Sequence, residues 1–113
     1  MARYNPLVRR TAVVPAPLRP LLWDYRGRRL RLDRDRAFLV RRVLAEGGWN
    51  EIRALRLRVT DDVIRQVLID SEARGLSPAR IRFWQLVLEI PARRANAWAR
   101  VARAGTWAKR ARA

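Results

Sequence analysis

The chain has 113 residues, half of them apolar, with 26 basic against 10 acidic side chains and a formal net charge of +16. That length allows one domain with a modest core. The absence of both Cys and His excludes a disulfide framework, thiolate catalysis, an imidazole general base and the usual zinc sites.

Residues 1–20 carry prolines at 6, 15, 17 and 20, which predicts an extended, poorly ordered arm. The arm lacks the apolar stretch of a secretory leader. No apolar run in the chain approaches the roughly 20 residues of a membrane span, so a cytoplasmic protein is expected. Leu21, Leu22 and Trp23 form a short apolar cluster, and Trp23 is expected to plug onto a helical core.

The first helix is expected from an N-cap at Asp33, with Asp35 beside it. Phe38, Leu39, Val40, Val43 and Leu44 supply its apolar face. Gly47 is expected to end it as a left-handed cap. A second, short helix is predicted from Asn50 to about Val59, burying Ile52 and Leu55. Thr60 then opens a third as N-cap, with Val63, Ile64, Val67 and Leu68 inward and Gly75 closing it. The fourth has a clear start, Ser77 as N-cap and Pro78 at the first helical position. Its Ile81, Phe83, Trp84, Leu86, Val87, Leu88 and Ile90 make a helix apolar nearly all round, buried by neighbours or binding another chain. Pro91 ends or kinks it. Beyond lies Ala- and Arg-rich sequence that predicts a frayed basic helix interrupted at Gly105.

Charge is unevenly placed. The arm holds Arg3, Arg9, Arg10 and Arg19 with no acid, and residues 91–113 hold Arg93, Arg94, Arg100, Arg103, Lys109, Arg110 and Arg112 with no acid. All basic residues but Lys109 are Arg, a bias that a GC-rich genome produces on any surface. Such a bias does not explain acid-free flanks, and a basic flank seeks a polyanion.

No catalytic constellation is visible, and a non-enzyme without cofactor is expected. The carboxylate pairs Asp33/Asp35 and Asp61/Asp62 sit at helix starts, where capping explains them better than a metal does. Helices two and three have the spacing of a helix-turn-helix, which would offer Arg65, Gln66 and Arg74 to DNA. Against it, Asp61 and Asp62 would face phosphate in the first turn. The C-terminal basic residues interleave with Trp98 and Trp107, a pattern able to grip phosphates and stack bases. Seven such phosphate contacts would give a log–log salt dependence of about −6 on duplex.

Four motifs in order carry a resemblance: Leu22-Trp23-Asp24, Arg42-Val43-Leu44 followed by Gly47-Gly48, Leu76-Ser77-Pro78, and Phe83-Trp84. Over about residues 21–90 they resemble a family of small bacterial proteins built around an uncharacterised domain. Members of it read Leu-Phe-Trp-Asp, Arg-Val-Leu-x-x-Gly and Leu-Ser-Pro-x-x-x-x-Phe-Trp. The chain departs from that pattern at Leu22, Arg26 and Val59-Thr60. Genes of this family often lie beside genes for nucleotidyltransferase toxins of the abortive-infection (AbiEii-like) group. The resemblance therefore implies an antitoxin or toxin-associated role in phage defence, with autoregulation through DNA and no residue-level assignment.

These readings combine into one expectation: an all-α protein with a small four-helix core bundle over residues 21–90. An extended basic arm (1–20) precedes it and a basic helix or tail (91–113) follows. The expected partner is a cognate nucleotidyltransferase-type toxin, with DNA or tRNA as a further partner of the basic flanks. The alternative is a small DNA- or RNA-binding protein, either a helix-turn-helix-like regulator or a binder through its basic tail. Trp23, Phe83, Trp84, Trp98 and Trp107 are the candidate partner contacts. Arg65, Arg93, Arg94, Arg100, Arg103, Lys109 and Arg110 are the candidates for an acidic partner, which includes a toxin's acidic active site, or for nucleic acid.

Overall fold

The structure is a computed structural model that describes residues 13–25 and 30–112, with side chains described for 13–22 and 30–105. Trp23, Trp107, Lys109 and Arg110 therefore lie outside the described side chains, as does most of the N-terminal arm.

The fold is all-α. A 3-10 segment (Ala16–Tyr25) leads into α1 (Arg36–Glu46), α2 (Trp49–Arg56), α3 (Asp61–Asp70), α4 (Pro78–Val87) and α5 (Ala92–Arg112). Among the described residues the only β-type pairing is an isolated antiparallel bridge between Val13 and Arg31, which closes the loop around the 3-10 segment. Leu18, on that segment, is 1% exposed. The core thus begins inside the stretch expected to be an arm: Pro15 is buried along with Leu18, and the 3-10 segment packs on α1 and α2.

Helix α1 is the hub. It packs on the 3-10 segment, α2, α3 and α4, while α5 packs chiefly on α4. Its Leu39, Val40, Val43 and Leu44 are buried, as the helical spacing predicts. The expected cap at Asp33 is displaced. The helix begins at Arg36, with Asp35 at the N-cap position. Asp35 Oδ2 accepts from the Arg31 amide at 2.9 Å while the Asp35 amide donates to the Arg31 carbonyl at 2.8 Å. Asp33 is occupied by the Arg31 guanidinium, at 3.0 and 2.9 Å, and that hydrogen bonding holds its carboxyl below the usual range. The two acids fold the entry turn instead of capping the helix.

Gly47 does end α1, but not as a left-handed cap: its φ of −71° and ψ of 144° are extended. Glycine is required there for space. A Cβ would lie 2.6 Å from the Val43 carbonyl oxygen and 2.9 Å from Val43 Cγ1. Gly47→Ala is expected to lower stability by about 1–3 kcal/mol through this overpacking, read as a fall in the urea midpoint.

Helix α2 starts one residue before the expected Asn50 cap, with Gly48 in the capping position. Thr60 caps α3 as predicted, its Oγ1 accepting from the Val63 amide at 3.4 Å. Gly75 does not close that helix. The helix stops at Asp70, and the chain turns through Glu72 (φ 53°) and Ala73 (φ 55°). The Ala73 amide donates to Leu68 O and the Glu72 amide to Ile69 O, each at 3.1 Å, which is the paired hydrogen bonding of a Schellman cap. Glutamate fills the left-handed position where glycine is favoured. That conformation costs an L-residue about 1–2 kcal/mol, part of it offset by glycine's greater unfolded freedom. Glu72→Gly is therefore expected to stabilise the fold by about 0.5–1 kcal/mol, measurable as a raised thermal midpoint.

Ser77 caps α4, its Oγ accepting from the Arg80 amide at 3.2 Å, and Pro78 occupies the first turn. The helix ends at Val87, before Pro91, with Glu89 (φ 54°) in a left-handed turn and the Ile90 amide returning to Gln85 O at 3.0 Å. The chain then re-enters a 21-residue helix, α5, which passes through Gly105 without a break. Ala95, Trp98 and Ala99 are buried. The first half of the expected tail is thus a fifth core helix, because these three positions recur at helical spacing and face α4.

Helices α2 and α3 are joined by a short turn, yet each packs on α1 rather than closely on the other. They are braced across the turn by Arg56, whose Nε and Nη2 donate to Asp61 at 3.0 and 2.7 Å. This hydrogen bonding holds the Asp61 carboxyl below its ordinary range.

Candidate partner-binding surfaces

Two hydrogen bonds from α4 finish the C-terminal end of α1. Trp84 is fully buried and its Nε1 donates to Leu44 O at 2.9 Å. Arg80 Nη1 donates to Gly47 O at 2.7 Å. Helix ends leave carbonyls without intrahelical partners, and α4 supplies partners for two of them. Trp84 is therefore a core residue and not a partner contact.

This clamp leaves a groove beside it. Gly47, Gly48, Trp49 and Ile52 form one wall, and Ser77, Ala79, Arg80 and Phe83 the other, around a volume of about 380 Å³. Trp49 stands at its lip, 73% exposed. Its ring meets the half-buried Phe83 edge to face at 6.1 Å between centroids, and Phe83 meets Trp84 the same way at 4.9 Å. An aromatic ladder thus runs from solvent to core, and the outermost ring is held in place by the inner two. A large exposed apolar side chain on a rigid support is the usual composition of a binding hot spot. Phe83 was legible as a candidate. Trp49 was not: it directly precedes the expected cap at Asn50, and nothing in the local sequence shows that its ring faces solvent.

The second groove, about 400 Å³, lies between α1 and α3 and is lined by Asp33, Arg34, Arg36, Ala37, Val63, Gln66, Val67 and Asp70. Gln66 there donates to Asp70 at 2.7 Å, so its polar groups are partly used within α3. Among the described residues no group of three or more acidic side chains is placed to hold a metal ion. No described helix is long and apolar enough to cross a membrane.

The basic candidates divide. Arg65 serves the fold: its Nε donates to Leu88 O at 2.7 Å and its Nη1 to Asp62 at 2.7 Å, tying α3 to the end of α4. It is not a free DNA contact, because the carbonyl it satisfies belongs to another helix end. Arg93, Arg94, Arg100 and Arg103 are all exposed along α5. Trp98, which the sequence placed among them, faces inward and is 8% exposed.

Residues 18–68 match a family of unknown function (DUF6922). The match runs from within the 3-10 segment through α1 and α2 into α3, in line with the resemblance to an uncharacterised-domain family, and stops before α4 and α5. No match is found among curated proteins or among solved structures.

Proposed function

We propose that the chain is the antitoxin of a bacterial toxin–antitoxin pair, a non-catalytic cytoplasmic protein that neutralises a nucleotidyltransferase-type toxin by direct binding. The observation that carries the binding role is Trp49, an indole 73% exposed at the lip of a groove beside the contact between α1 and α4. A free monomer gains from that ring only its edge contact with Phe83, whereas a partner that covers it gains a large desolvated contact. The groove offers no nucleophile or acid–base pair beyond Ser77, whose hydroxyl is engaged as a helix cap. The four sequence motifs that resemble toxin-linked proteins supply the class of partner.

The deciding experiment is co-expression with the adjacent reading frame, scored for growth rescue and copurification. Rescue together with a stable complex supports the proposal. A neighbour that is harmless, or whose toxicity this chain leaves unchanged, overturns it.

A further inference from the structure

The geometry points to one flank of the α4–α5 hairpin as a sequence-independent binding surface for the phosphate backbone of a nucleic-acid duplex. Residues 76–113 hold nine basic side chains and a single acid, Glu89. Composition alone does not produce that asymmetry. Between Arg31 and Arg65 the same arginine-rich chain pairs its cations with Asp33, Asp35, Glu46, Asp61 and Asp62. None of those ion pairs involves α5 or Glu89.

Asn96 is the centre of the flank. On a helix its neighbours three before, four after and seven after share its side, and these are Arg93, Arg100 and Arg103. A fourth cation arrives from α4: Arg82 Nη1 donates to Asn96 Oδ1 at 2.6 Å and to Gln85 Oε1 at 3.0 Å. Four guanidinium groups are thus gathered on one side of a helix whose other side is pinned by Ala95, Trp98 and Ala99. From position 93 to position 103 the axis advances about 15 Å, which spans about four phosphates at about 3.4 Å of rise per nucleotide on one strand.

The placement runs against helix stability. Arg93 and Arg94 lie in the first turn of α5, which contains no acid. The positive end of the helix dipole favours acids there and disfavours cations. A merely solvated surface has no reason to keep them. The cations are all arginine, suited to bidentate phosphate contacts, and Asn96, the polar group best placed to read a base edge, is already bonded to Arg82. Backbone binding without sequence preference follows.

The test uses the full chain and fluorescence anisotropy, with a labelled mixed-sequence DNA duplex of about 25 base pairs and the RNA duplex of the same sequence. Binding is expected to weaken with salt at a log–log slope of about −3 to −4. The double variant Arg93→Glu/Arg100→Glu is expected to lose at least about tenfold in affinity at 0.1 M salt, and its slope should be shallower by about 2. Its melting temperature should hold or rise by a few degrees, since an acid now stands in the first turn. Arg100→Gln/Arg103→Gln, which adds no acid, should reproduce the loss. Tighter binding to one duplex names the nucleic acid. The proposal is overturned if neither double variant changes affinity. It is equally overturned if poly-glutamate of matched charge binds as tightly as the duplexes, which would assign the flank to an acidic protein face. The duplex is titrated without any toxin present, so the outcome is separate from that of the toxin reading.

Discussion

Trp84→Ala is expected to cost the fold about 3–5 kcal/mol, a large fraction of the roughly 5–15 kcal/mol that holds a domain together. Two effects add. The indole is wholly buried, so its removal leaves a cavity that α1 and α4, tied by Arg80 to Gly47 O, have little freedom to close. The Leu44 carbonyl, deprived of Nε1, is also left buried without a donor, at about 1–3 kcal/mol. Trp84→Phe removes the donor and the smaller of the two fused rings but keeps a six-membered aromatic ring in the socket, so it loses the hydrogen bond with a smaller cavity than alanine leaves. The ordering wild type, Phe, Ala in urea midpoint, with unchanged slope, is the expected series. Alanine costing less than about 1 kcal/mol would mean that the socket collapses freely, contrary to the close packing expected of a core.

Trp49→Ala is the mirror case, with a small effect on the fold and a large one on binding. The side chain is mostly in solvent, and what it gives the free protein is one edge-to-face contact with Phe83, worth about 0.5–1.5 kcal/mol. If the toxin covers the groove, truncating its central anchor removes about 2 kcal/mol or more, which is about thirtyfold or more in Kd. Calorimetry on the purified pair gives the affinity, and a thermal melt of the free variant gives the fold. An unchanged Kd would move the docking surface away from this groove. A lost complex from an unfolded variant would be visible in the melt.

Much of the architecture was legible because its causes are local. Thr60 and Ser77 cap helices as their chemistry predicts, and the Leu39/Val43 and Val40/Leu44 pairs declare the buried face of α1. What escaped the sequence rests on contacts between distant positions. Leu18 reads as part of a proline-rich arm until its socket against α1 and α2 is seen. Gly47 looks like any helix-ending glycine, and only the approach of Val43 O shows that it is kept for space. Arg65 and Arg80 are indistinguishable in sequence from the solvent-facing arginines. Their carbonyl partners lie 23 and 33 positions away, beyond any local rule. Trp98 follows the same logic: acid-free basic surroundings suggested an exposed tail, yet spacing with Ala95 and Ala99 makes it the inward ridge of α5. On the binding side, Phe83 and the exposed arginines of α5 were foreseeable by residue type, whereas the prominence of Trp49 depends on how α4 crosses the end of α1.

That crossing also orders the events of synthesis. A chain emerging from the ribosome presents α1 long before α4, so the Leu44 and Gly47 carbonyls wait on residues 80 and 84 for their protein donors. By position 68, where the family-matched segment ends, α3 has its Thr60 cap, but neither the turn at Glu72 and Ala73 that closes it nor the tryptophan that meets the end of α1 has been made. Final consolidation therefore belongs to the last third of the chain. The part of the sequence that carries the basic flank is the same part that locks the rest into place.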